Sequence, residues 1–418
     1  MVVGKHLKIF LCERIPSENR GEAAILEGLH EGLKHYFKDF ELTIYSISSK
    51  KDEVYYKNIA KVVGHDRESA IHTKYIELAQ RLILTSKLFV SALTKKIFGY
   101  ELKFTDALFM AFHHADILLQ GHDNIYKDKI KLKDALVVFY GKQYNKKIVV
   151  PSASIGPFKN DGLLNRSIAG YVLNNAHLIT LRDKHSGDYL SNLCLKNRWR
   201  VLTDLAFMLK PTKCDIPWGE DGFVIGFTPT EFVFEKARNV NGTALSKKEF
   251  INEIITYLGW LVSELKCKVV LISHVFGPEK KQDDRIIIRQ LEKKAREKGV
   301  TLDVVDDDRY TAGQLKYLIG QLDGLIACRT HTMIAALGQS VPTLALTDPG
   351  RYKTNGILGD LFESPECLFD MTSWDINQLK TITESFFQNL NAIQQRIQNK
   401  RPHAVELSQR NIQLLTEI

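Results

Sequence analysis

Short apolar runs alternate with longer amphipathic segments along the chain. Runs rich in branched and aromatic residues are typical of buried strands, and apolar residues three and four positions apart are typical of helices. The pattern in the first half predicts strands at Leu7–Cys12, Leu42–Ile47, Ala115–Leu119, Ile148–Pro151, Leu178–Leu181 and Arg200–Leu205, and helices at Ala23–Phe37, roughly Glu68–Phe112 and Leu132–Tyr144. Strands separated by helices favour a parallel sheet that is covered on both faces.

The segment Lys210–Gly222 interrupts this alternation. It places Pro211, Pro217 and Gly219 among charged residues, which is typical of a linker. The pattern then resumes with strands at Phe223–Phe227, Lys268–Ser273, Leu302–Val305, Gly324–Ala327 and Thr343–Leu346, and helices at Lys247–Glu264, Asp283–Lys298, Ala312–Leu322 and Thr332–Leu337. Terminal helices are predicted at Trp374–Asn399 and His403–Thr416, and packing back on the first domain is one arrangement open to them.

The predicted fold class is therefore α/β, with two Rossmann-like domains facing a central cleft, as in the GT-B glycosyltransferases. We predict a first domain at 1–212 that holds the acceptor side, a second domain at 213–374 that holds the donor site, and terminal helices at 375–418. Ligands of open parallel sheets bind beyond the carboxyl ends of the strands. Polar residues directly after strands are therefore the candidate site residues.

Composition and charge narrow the function classes. With 418 residues, 44% hydrophobic and 25% charged, the chain is typical of a globular protein with two domains. Its net charge of +8 suits an anionic ligand or membrane surface, and it lacks the basic block of a nucleic-acid protein. The six cysteines form no CxxC pair, which favours buried thiols over a zinc site: Cys12, Cys194, Cys214, Cys267, Cys328 and Cys367.

The start of the chain indicates where the protein acts. Met1–Cys12 reads as a first strand and has no long apolar core of a signal peptide. No apolar run reaches the ~18 residues of a membrane-spanning helix. We therefore expect a cytoplasmic protein, with peripheral contact at the inner face of the cell membrane left open.

The stretch Asp323–Pro349 is the most informative part of the sequence for a functional site. A buried strand ends at Ala327–Cys328, Arg329, Thr330 and His331 follow, and a helix of small residues begins at once. Free N–H groups at a helix start attract anions, and arginine offers a planar fork to carboxylate or phosphate. This combination predicts an anion site; the alternative is that Arg329 pairs with a local carboxylate and Thr330 only caps the helix.

Two further strand ends in the first domain carry polar residues. Arg182 ends the apolar run L-I-T-L-R-D, where it would form a second arm of an anion clamp or a surface pair with Asp183. The loop Gln120–Asn124 follows the strand Ala115–Leu119. Its glycine permits a close approach of ligand to backbone, and its His122 and Asp123 are candidates for proton transfer. A simple turn is the plainer alternative for that loop.

Polar residues also open two helices. Asn19 and Glu22 stand at the first helix, where Asn19 caps it and Glu22 closes a capping box, roles that are compatible with ligand contact. His274 follows the strand Lys268–Ser273, and an acidic pair opens the next helix. Their spacing alone also fits a structural histidine and an ordinary helix start.

The segment Ile83–Phe104 mixes lysines with large apolar side chains. Such a mixture fits a basic amphipathic face for a membrane surface. It also fits an internal helix with solvated lysines, and the spacing alone favours this second interpretation.

Taken in order, these segments resemble the polysaccharide pyruvyl transferase family. The resemblance extends over roughly Asn19–Leu361, with the S-R-x-H motif of the family at Cys328–His331 and a lysine at Lys353. Six more motifs match at Asn19–Glu22, Gln120–Asn124, Ser152–Pro157, Thr180–Asp183, Asp204–Phe207 and Gly338–Pro342. The sequence departs from the family in the glycines of the Gln120–Asn124 loop, in Cys328 for serine and in Leu205 for proline.

The resemblance implies an activity and a set of site residues. The family transfers the enolpyruvyl carbons of phosphoenolpyruvate to two hydroxyls of a sugar, forming a pyruvate ketal and releasing phosphate, with no metal or cofactor. The acceptor is a sugar or a lipid-linked oligosaccharide of cell-surface or exopolysaccharide biosynthesis. The implied donor-binding residues are Arg182, Arg329, Thr330, His331 and Lys353. The implied catalytic residues are His331 as acid, with Asp123 or Glu22 as base, and the implied acceptor-binding residues are Asn19, Gly121, His122, Asn124 and His274.

Two alternatives remain at this point. One is a GT-B glycosyltransferase that uses a nucleotide sugar, since it would share the architecture. The other is a non-catalytic relative of the family, which is suggested by the missing glycines of the Gln120–Asn124 loop. Binding of phosphoenolpyruvate, of a nucleotide sugar or of neither separates the three.

Overall fold

The structure is a computed structural model. It describes residues 6–64, 73–159, 162–193, 195–219, 222–238 and 242–418. Cys194, the start of the predicted helix Glu68–Phe112 and part of the predicted linker at 220–221 lie outside the described residues.

Two compact units divide the chain. The first contains Met1–Ser17, Leu29–Leu205 and Leu407–Ile418, and the second contains Glu18–Gly28 and Ala206–Glu406. The domain bounds stated from the sequence stay a prediction.

The elements up to residue 201 alternate between strands and helices. In chain order they are β1 (Leu7–Leu11), α1 (Arg20–Tyr36), β2 (Phe40–Ser46), α2 (Ser49–Tyr56), β3 (Lys61–Gly64), α3 (Thr73–Phe98), α4 (Ala107–His114), β4 (Ile117–Leu119), α5 (Leu132–Gln143), β5 (Lys147–Ala153), α6 (Leu163–Asn174), β6 (Leu178–Leu181), α7 (Lys184–Ser191) and β7 (Arg200–Val201).

The strands of the first unit form one parallel sheet in the order β3-β2-β1-β4-β5-β6-β7. The three residues of β4 are all buried, as are six of the seven in β5. Both faces of these strands are covered, which explains why they read as unbroken apolar runs rather than as alternating ones. The strand order reverses between β1 and β4, so the carboxyl ends of these two strands form the switch point.

The second half of the chain repeats the alternation. Its elements are β8 (Phe223–Thr228), α8 (Glu231–Lys236), α9 (Lys247–Ser263), β9 (Cys267–Ile272), α10 (Asp284–Glu297), β10 (Asp303–Val305), α11 (Ala312–Ile319), β11 (Gly324–Ala327), α12 (Thr330–Leu337), β12 (Thr343–Thr347), α13 (Tyr352–Thr354), β13 (Leu368–Asp370), α14 (Ile376–Gln388) and α15 (Leu390–Gln413).

The strands of the second unit also pair in parallel, in the order β10-β9-β8-β11-β12-β13. The switch point here lies between β8 and β11. The anion site predicted from the sequence therefore begins at this switch point, because Cys328 and Arg329 directly follow β11.

Several elements differ from the predictions. The single helix predicted to run to Phe112 is two helices, because Gly99 takes a left-handed φ of 76° after α3 and Asp106 caps α4 by accepting from Phe109 N. Helix α2 and strand β3 were not predicted; α2 mixes charged and aromatic residues without an apolar stripe. The break between the terminal helices lies at Asn389, and α15 continues through Pro402.

A buried carboxylate holds the connection that follows β2. Asp52 lies in α2 and is 3% exposed. It accepts a hydrogen bond from the backbone N of Ser17, at 2.9 Å, and another from the Ser46 hydroxyl. A buried donor that loses its acceptor costs about 1–3 kcal/mol, and bonds to a charged group are the stronger ones.

We therefore expect Asp52→Ala to lower the free energy of unfolding by about 2–3 kcal/mol. The neighbouring Glu53 lies on the same helix but is exposed, so Glu53→Ala is the matched control. Urea unfolding of both variants measures the difference, and equal midpoints would contradict the assignment.

Candidate functional site

The amino end of α12 lies at the switch point of the second sheet. Arg329 occupies the N-cap position with an extended backbone, and its side chain does not cap the helix, because a guanidinium has no acceptor to offer. Met333 N donates to Arg329 O at 3.2 Å, so the N–H groups of the residues before Met333 precede the first intrahelical bond. Thr330 lies within the first turn, and its hydroxyl is 2.7 Å from that of Thr354. This end of the helix attracts negative charge.

Arg329 is held by a carboxylate, as the plainer interpretation of the sequence allowed. Its Nε lies 3.0 and 2.8 Å from the two oxygens of Asp284, and its Nη2 contacts Asp284 and Gln282 O. Asp284 is 2% exposed and also accepts from the backbone N of His274 and of Val275. The Nη1 of Arg329 has no acceptor among the described residues, so one corner of the guanidinium remains for a ligand.

Helix α1 packs against the His331 ring at Gly21. A Cβ added at Gly21 would lie 2.5 Å from His331 Nδ1, which is closer than real side chains come. Asn19 caps this helix, because its Oδ1 accepts from Gly21 N at 3.1 Å and its Nδ2 donates to Glu22 at 2.9 Å. The predicted Asn19 cap is present, and Glu22 accepts from the side chain of Asn19 rather than from its backbone in that bond. The capped first turn of α1 lies against His331.

The start of α1 is tied to the second unit by its first residue, Arg20. Its Nε donates to Tyr310 O at 2.7 Å and its Nη2 to Asp308 O at 2.5 Å. The guanidinium also lies 5.1 Å from the centre of the Phe276 ring. These contacts explain why Glu18–Gly28 belongs to the second unit although it precedes most of the first.

His274 stands in a positively charged neighbourhood. It is 2% exposed, and burial lowers its pKa well below the ordinary value, with further lowering from His331, Arg329 and Arg20. The ring is therefore neutral near pH 7. The charges that disfavour a second proton on His274 would favour a bound anion.

Arg351 was missed in the sequence, although it follows β12 closely enough for the strand-end rule to find it. Its Nη1 donates to Cys328 O at 2.8 Å, and its Nε lies 3.4 Å from Asp348. Burial lowers the pKa of Arg351 to about 10, against the opposing effect of Asp348. A desolvated cation bonded to Cys328, two residues before α12, adds to the positive charge there. Lys353 lies in α13 and is partly exposed.

In the first unit, Arg182 is enclosed by acceptors. Its Nε donates to Ser154 Oγ at 2.9 Å, its Nη2 to Asn124 Oδ1 at 2.9 Å, and its Nη1 to Asp204 at 2.7 Å and to Asp123. Burial lowers the pKa of Arg182, but the two carboxylates outweigh it and raise that pKa. The side chain has no exposed surface, so this arginine orients the two acids and the loop that carries Asp123.

The loop after β4 places its glycine against a tyrosine. Gly121 has a left-handed φ of 76°, and a Cβ there would lie 2.1 Å from the Tyr126 ring. His122 is 2% exposed, with its Nδ1 3.6 Å from the Glu13 carboxylate. Burial raises the pKa of Glu13, but His122 and Lys133 outweigh this effect and lower it. The glycine is thus required by a packed ring within the protein.

The structure sorts the predicted site residues into two sets. The second unit holds Asn19, Glu22, His274, Arg329, Thr330, His331 and Lys353, and the first unit holds Gly121, His122, Asp123, Asn124 and Arg182. Their roles stay predictions. Six further residues hold these side chains in place, and the sequence analysis gave them no role in the site. They are Glu13, Arg20, Ser154, Asp204, Asp284 and Arg351.

Solved structures with similar folds support the architecture. The chain is similar to HepE of Anabaena in complex with UDP and glucose, with a TM-score of 0.56 at 12% identity, covering 99% of this chain and 100% of that one. It is similar to the UDP-GlcNAc 2-epimerase of Neisseria meningitidis bound to UDP-GlcNAc, with a TM-score of 0.58 at 11% identity, covering 99% of each chain. The predicted fold class, two Rossmann-like α/β domains of GT-B type, is confirmed.

A third similar structure is the sucrose-phosphate synthase of Thermosynechococcus elongatus, with a TM-score of 0.54 at 11% identity, covering 99% of this chain and 100% of that one. At such identities the likeness extends to the fold alone. No curated protein sequence matches the chain. Within the described residues, no helix is both long and apolar enough to cross a bilayer.

The sequence itself matches a family model. The model of the polysaccharide pyruvyl transferases covers residues 19–348, from the cap of α1 to the carboxylate beside Arg351. The match includes both strand-end clusters, with Arg182 in one and Arg329 in the other. The chain belongs to the polysaccharide pyruvyl transferase family, and it is a transferase of polysaccharide biosynthesis.

Proposed function

We propose that the protein transfers the enolpyruvyl group of phosphoenolpyruvate to two hydroxyls of a sugar, forming a cyclic pyruvate ketal and releasing phosphate. The observation that carries the proposal is the positive charge at the amino end of α12. Three groups lie together there: the start of α12, which the Arg329 side chain does not cap, the desolvated Arg351, and Arg329 itself, which pairs with Asp284 through Nε and Nη2. Phosphoenolpyruvate carries a carboxylate and a phosphate, and it needs such cations.

The donor occupies this end of the helix. The first N–H groups of α12 and the Arg351 guanidinium bind one of its anionic groups, and Arg329 offers its Nη1 to the other. Asp284 keeps the Arg329 side chain in one orientation, because it binds two of its nitrogens. An arginine fixed in this way loses little conformational freedom on binding. Thr330 and Lys353 complete the donor-binding set proposed here.

His331 supplies the proton that starts the reaction. The donor methylene carbon takes the proton, and positive charge develops at the neighbouring enol carbon, where the first sugar hydroxyl attacks. Histidine suits this step because it exchanges protons near neutral pH. Gly21 leaves the space that the imidazole occupies, so the ring has a fixed position.

The acceptor side completes the transfer. The first hydroxyl gives its proton to a carboxylate, for which Asp123 and Glu22 are the candidates. The oxygen of the second hydroxyl then bonds to the same carbon, the bond from that carbon to the phosphate oxygen breaks, and the proton of this hydroxyl passes to the departing phosphate. Asn19, Gly121, His122, Asn124 and His274 form the proposed acceptor-binding set.

The acceptor proposed here is a sugar, free or as part of a lipid-linked oligosaccharide of a cell-surface or exopolysaccharide. The steps above move protons and a carbon–oxygen bond without any change of oxidation state. We propose phosphoenolpyruvate as the donor substrate, with no metal and no organic cofactor.

The direct test is phosphate release from phosphoenolpyruvate with a panel of bacterial oligosaccharides. We expect release that requires both substrates, and His331→Gln should lower kcat by about 10²–10⁴-fold, the range for loss of a general acid. His35→Gln removes an exposed histidine and is the matched control. Full activity of the His331 variant would remove this residue from the chemistry.

A second experiment separates donor binding from catalysis. Phosphoenolpyruvate should raise the Tm of the protein and of His331→Gln, because a ligand that binds only the native state stabilises it. Arg351→Met should abolish that rise, whereas Arg309→Met, at a side chain 88% exposed, should keep it. A rise with UDP-sugars and none with phosphoenolpyruvate would overturn the proposed donor in favour of a nucleotide sugar, and no rise with either would favour a non-catalytic relative.

The glycine beside the imidazole offers a test that changes no charge. Gly21→Ala should lower kcat by roughly ten- to a hundredfold, because its methyl group displaces the His331 ring. Gly170→Ala is the matched control, since the nearest atom to its added Cβ is 4.0 Å away. Steady-state kinetics of both variants measure the change in kcat. An unchanged kcat for Gly21→Ala would show that the position of the His331 ring does not limit the rate.

A further inference from the structure

Helix α3 presents an apolar face to solvent. The exposed fractions along it are 58% for Leu82, 52% for Ile83, 40% for Phe89, 43% for Val90, 60% for Ile97 and 70% for Phe98. These six residues are named here the outer face of α3. Ile83, Val90 and Ile97 are seven residues apart, which is close to two full turns, so they lie in one row. The outer face extends for about 24 Å along the helix.

The opposite side of α3 is fixed to the first unit. Leu88, Ser91 and Ala92 are buried, and Ser91 Oγ contacts Leu102 O at 2.5 Å and Tyr144 OH at 2.7 Å. Because this side is anchored by packing and by buried hydrogen bonds, the helix cannot rotate to hide the outer face. The exposure seen in the structure is therefore a property of the folded unit, and it contradicts the interpretation of Ile83–Phe104 as an internal helix.

The charges around the outer face are mainly basic. From Leu78 to Tyr100 the chain has no acidic residue, and from Leu78 to Asp106 it has five basic residues against two acidic ones. Lys96 is exposed and lies 5.7 Å from the centre of the Phe139 ring. The two acids are shared among three lysines: Glu101 contacts Lys95 and Lys103, and Asp106 contacts Lys87. The local balance remains positive.

We propose that the outer face of α3 docks on a bilayer that contains anionic phospholipids. Interfacial helices combine Phe and Leu on one face with lysines beside it, insert the apolar side chains at the headgroup boundary and place the lysines among the phosphates. A second copy of the chain fits less well, because a two-fold contact would bring this basic face against itself. The proposal is independent of the donor chemistry, and it would keep the enzyme at the surface that displays lipid-linked acceptors.

Vesicle flotation of the full chain tests the proposal. We expect flotation with vesicles of phosphatidylglycerol and phosphatidylcholine in equal parts, weak flotation with phosphatidylcholine alone, and loss at high salt, which screens the lysines. The double variant Ile97→Ser with Phe98→Ser should lower the partition by on the order of tenfold or more. Lys96→Glu should weaken binding to the anionic vesicles only. Val54→Ser, at a side chain 75% exposed on the charged helix α2, should bind like the parent.

Absence of flotation with the anionic vesicles, or equal flotation of the double variant, would overturn the proposal. So would a dimer in light scattering that the double variant converts to a monomer, because a second copy would then cover the face. Phosphate release with a soluble acceptor should be unchanged in every variant. A failure of membrane docking is therefore distinguishable from a failure of the proposed transfer reaction.

Discussion

The burial of arginine at the ends of strands, complete for Arg182 and partial for Arg329, is the constraint on which both clusters depend. A guanidinium without water is costly unless carboxylates and hydrogen bonds compensate it, and removing one partner of such a pair leaves an uncompensated charge. The two units compensate the charge of their arginines in different ways. All three guanidinium nitrogens of Arg182 donate hydrogen bonds to neighbouring side chains. Arg329 binds Asp284 through its Nε and Nη2, and its Nη1 has no acceptor among the described residues. The first arrangement builds a rigid loop, and the second leaves a donor for a ligand.

The parallel sheets explain where these arginines occur. The carboxyl ends of parallel strands lie on one edge, so residues far apart in sequence meet there without any further device. In the first unit, Ser154 follows β5, Arg182 follows β6 and Asp204 comes shortly after β7. In the second unit, Arg329 follows β11 and Asp348 follows β12. Each cluster is therefore assembled mainly by strand order, and the loops need only the right side chain within the first four positions after the strand.

The sequence predicts the buried strands of both sheets well, because a strand covered on both faces is an unbroken apolar run. It predicts the candidate site in part. Arg329, His331 and Arg182 follow such runs directly and were found. Glu13, Asp284 and Arg20 were not assigned roles, because the contacts that define them join residues distant in sequence, such as Arg20 with Asp308. The partnership of Arg329 with Asp284 was only one of two open interpretations, since spacing cannot distinguish a ligand from a neighbouring carboxylate. The break after α3 was missed because one glycine in a long helical pattern is a weak signal.

The division of the chain has a consequence for its synthesis on the ribosome. The first unit includes Leu407–Ile418, where Asn411 donates to Thr203 O and accepts from the Thr180 hydroxyl. Domains usually fold in the order in which they emerge. Here the first unit lacks its last segment until residues 407–418 have been synthesised, whereas all residues of the second unit precede them. The unit that begins first is thus completed after the other, and a chain that stopped before residue 407 would contain a whole second unit and an incomplete first one.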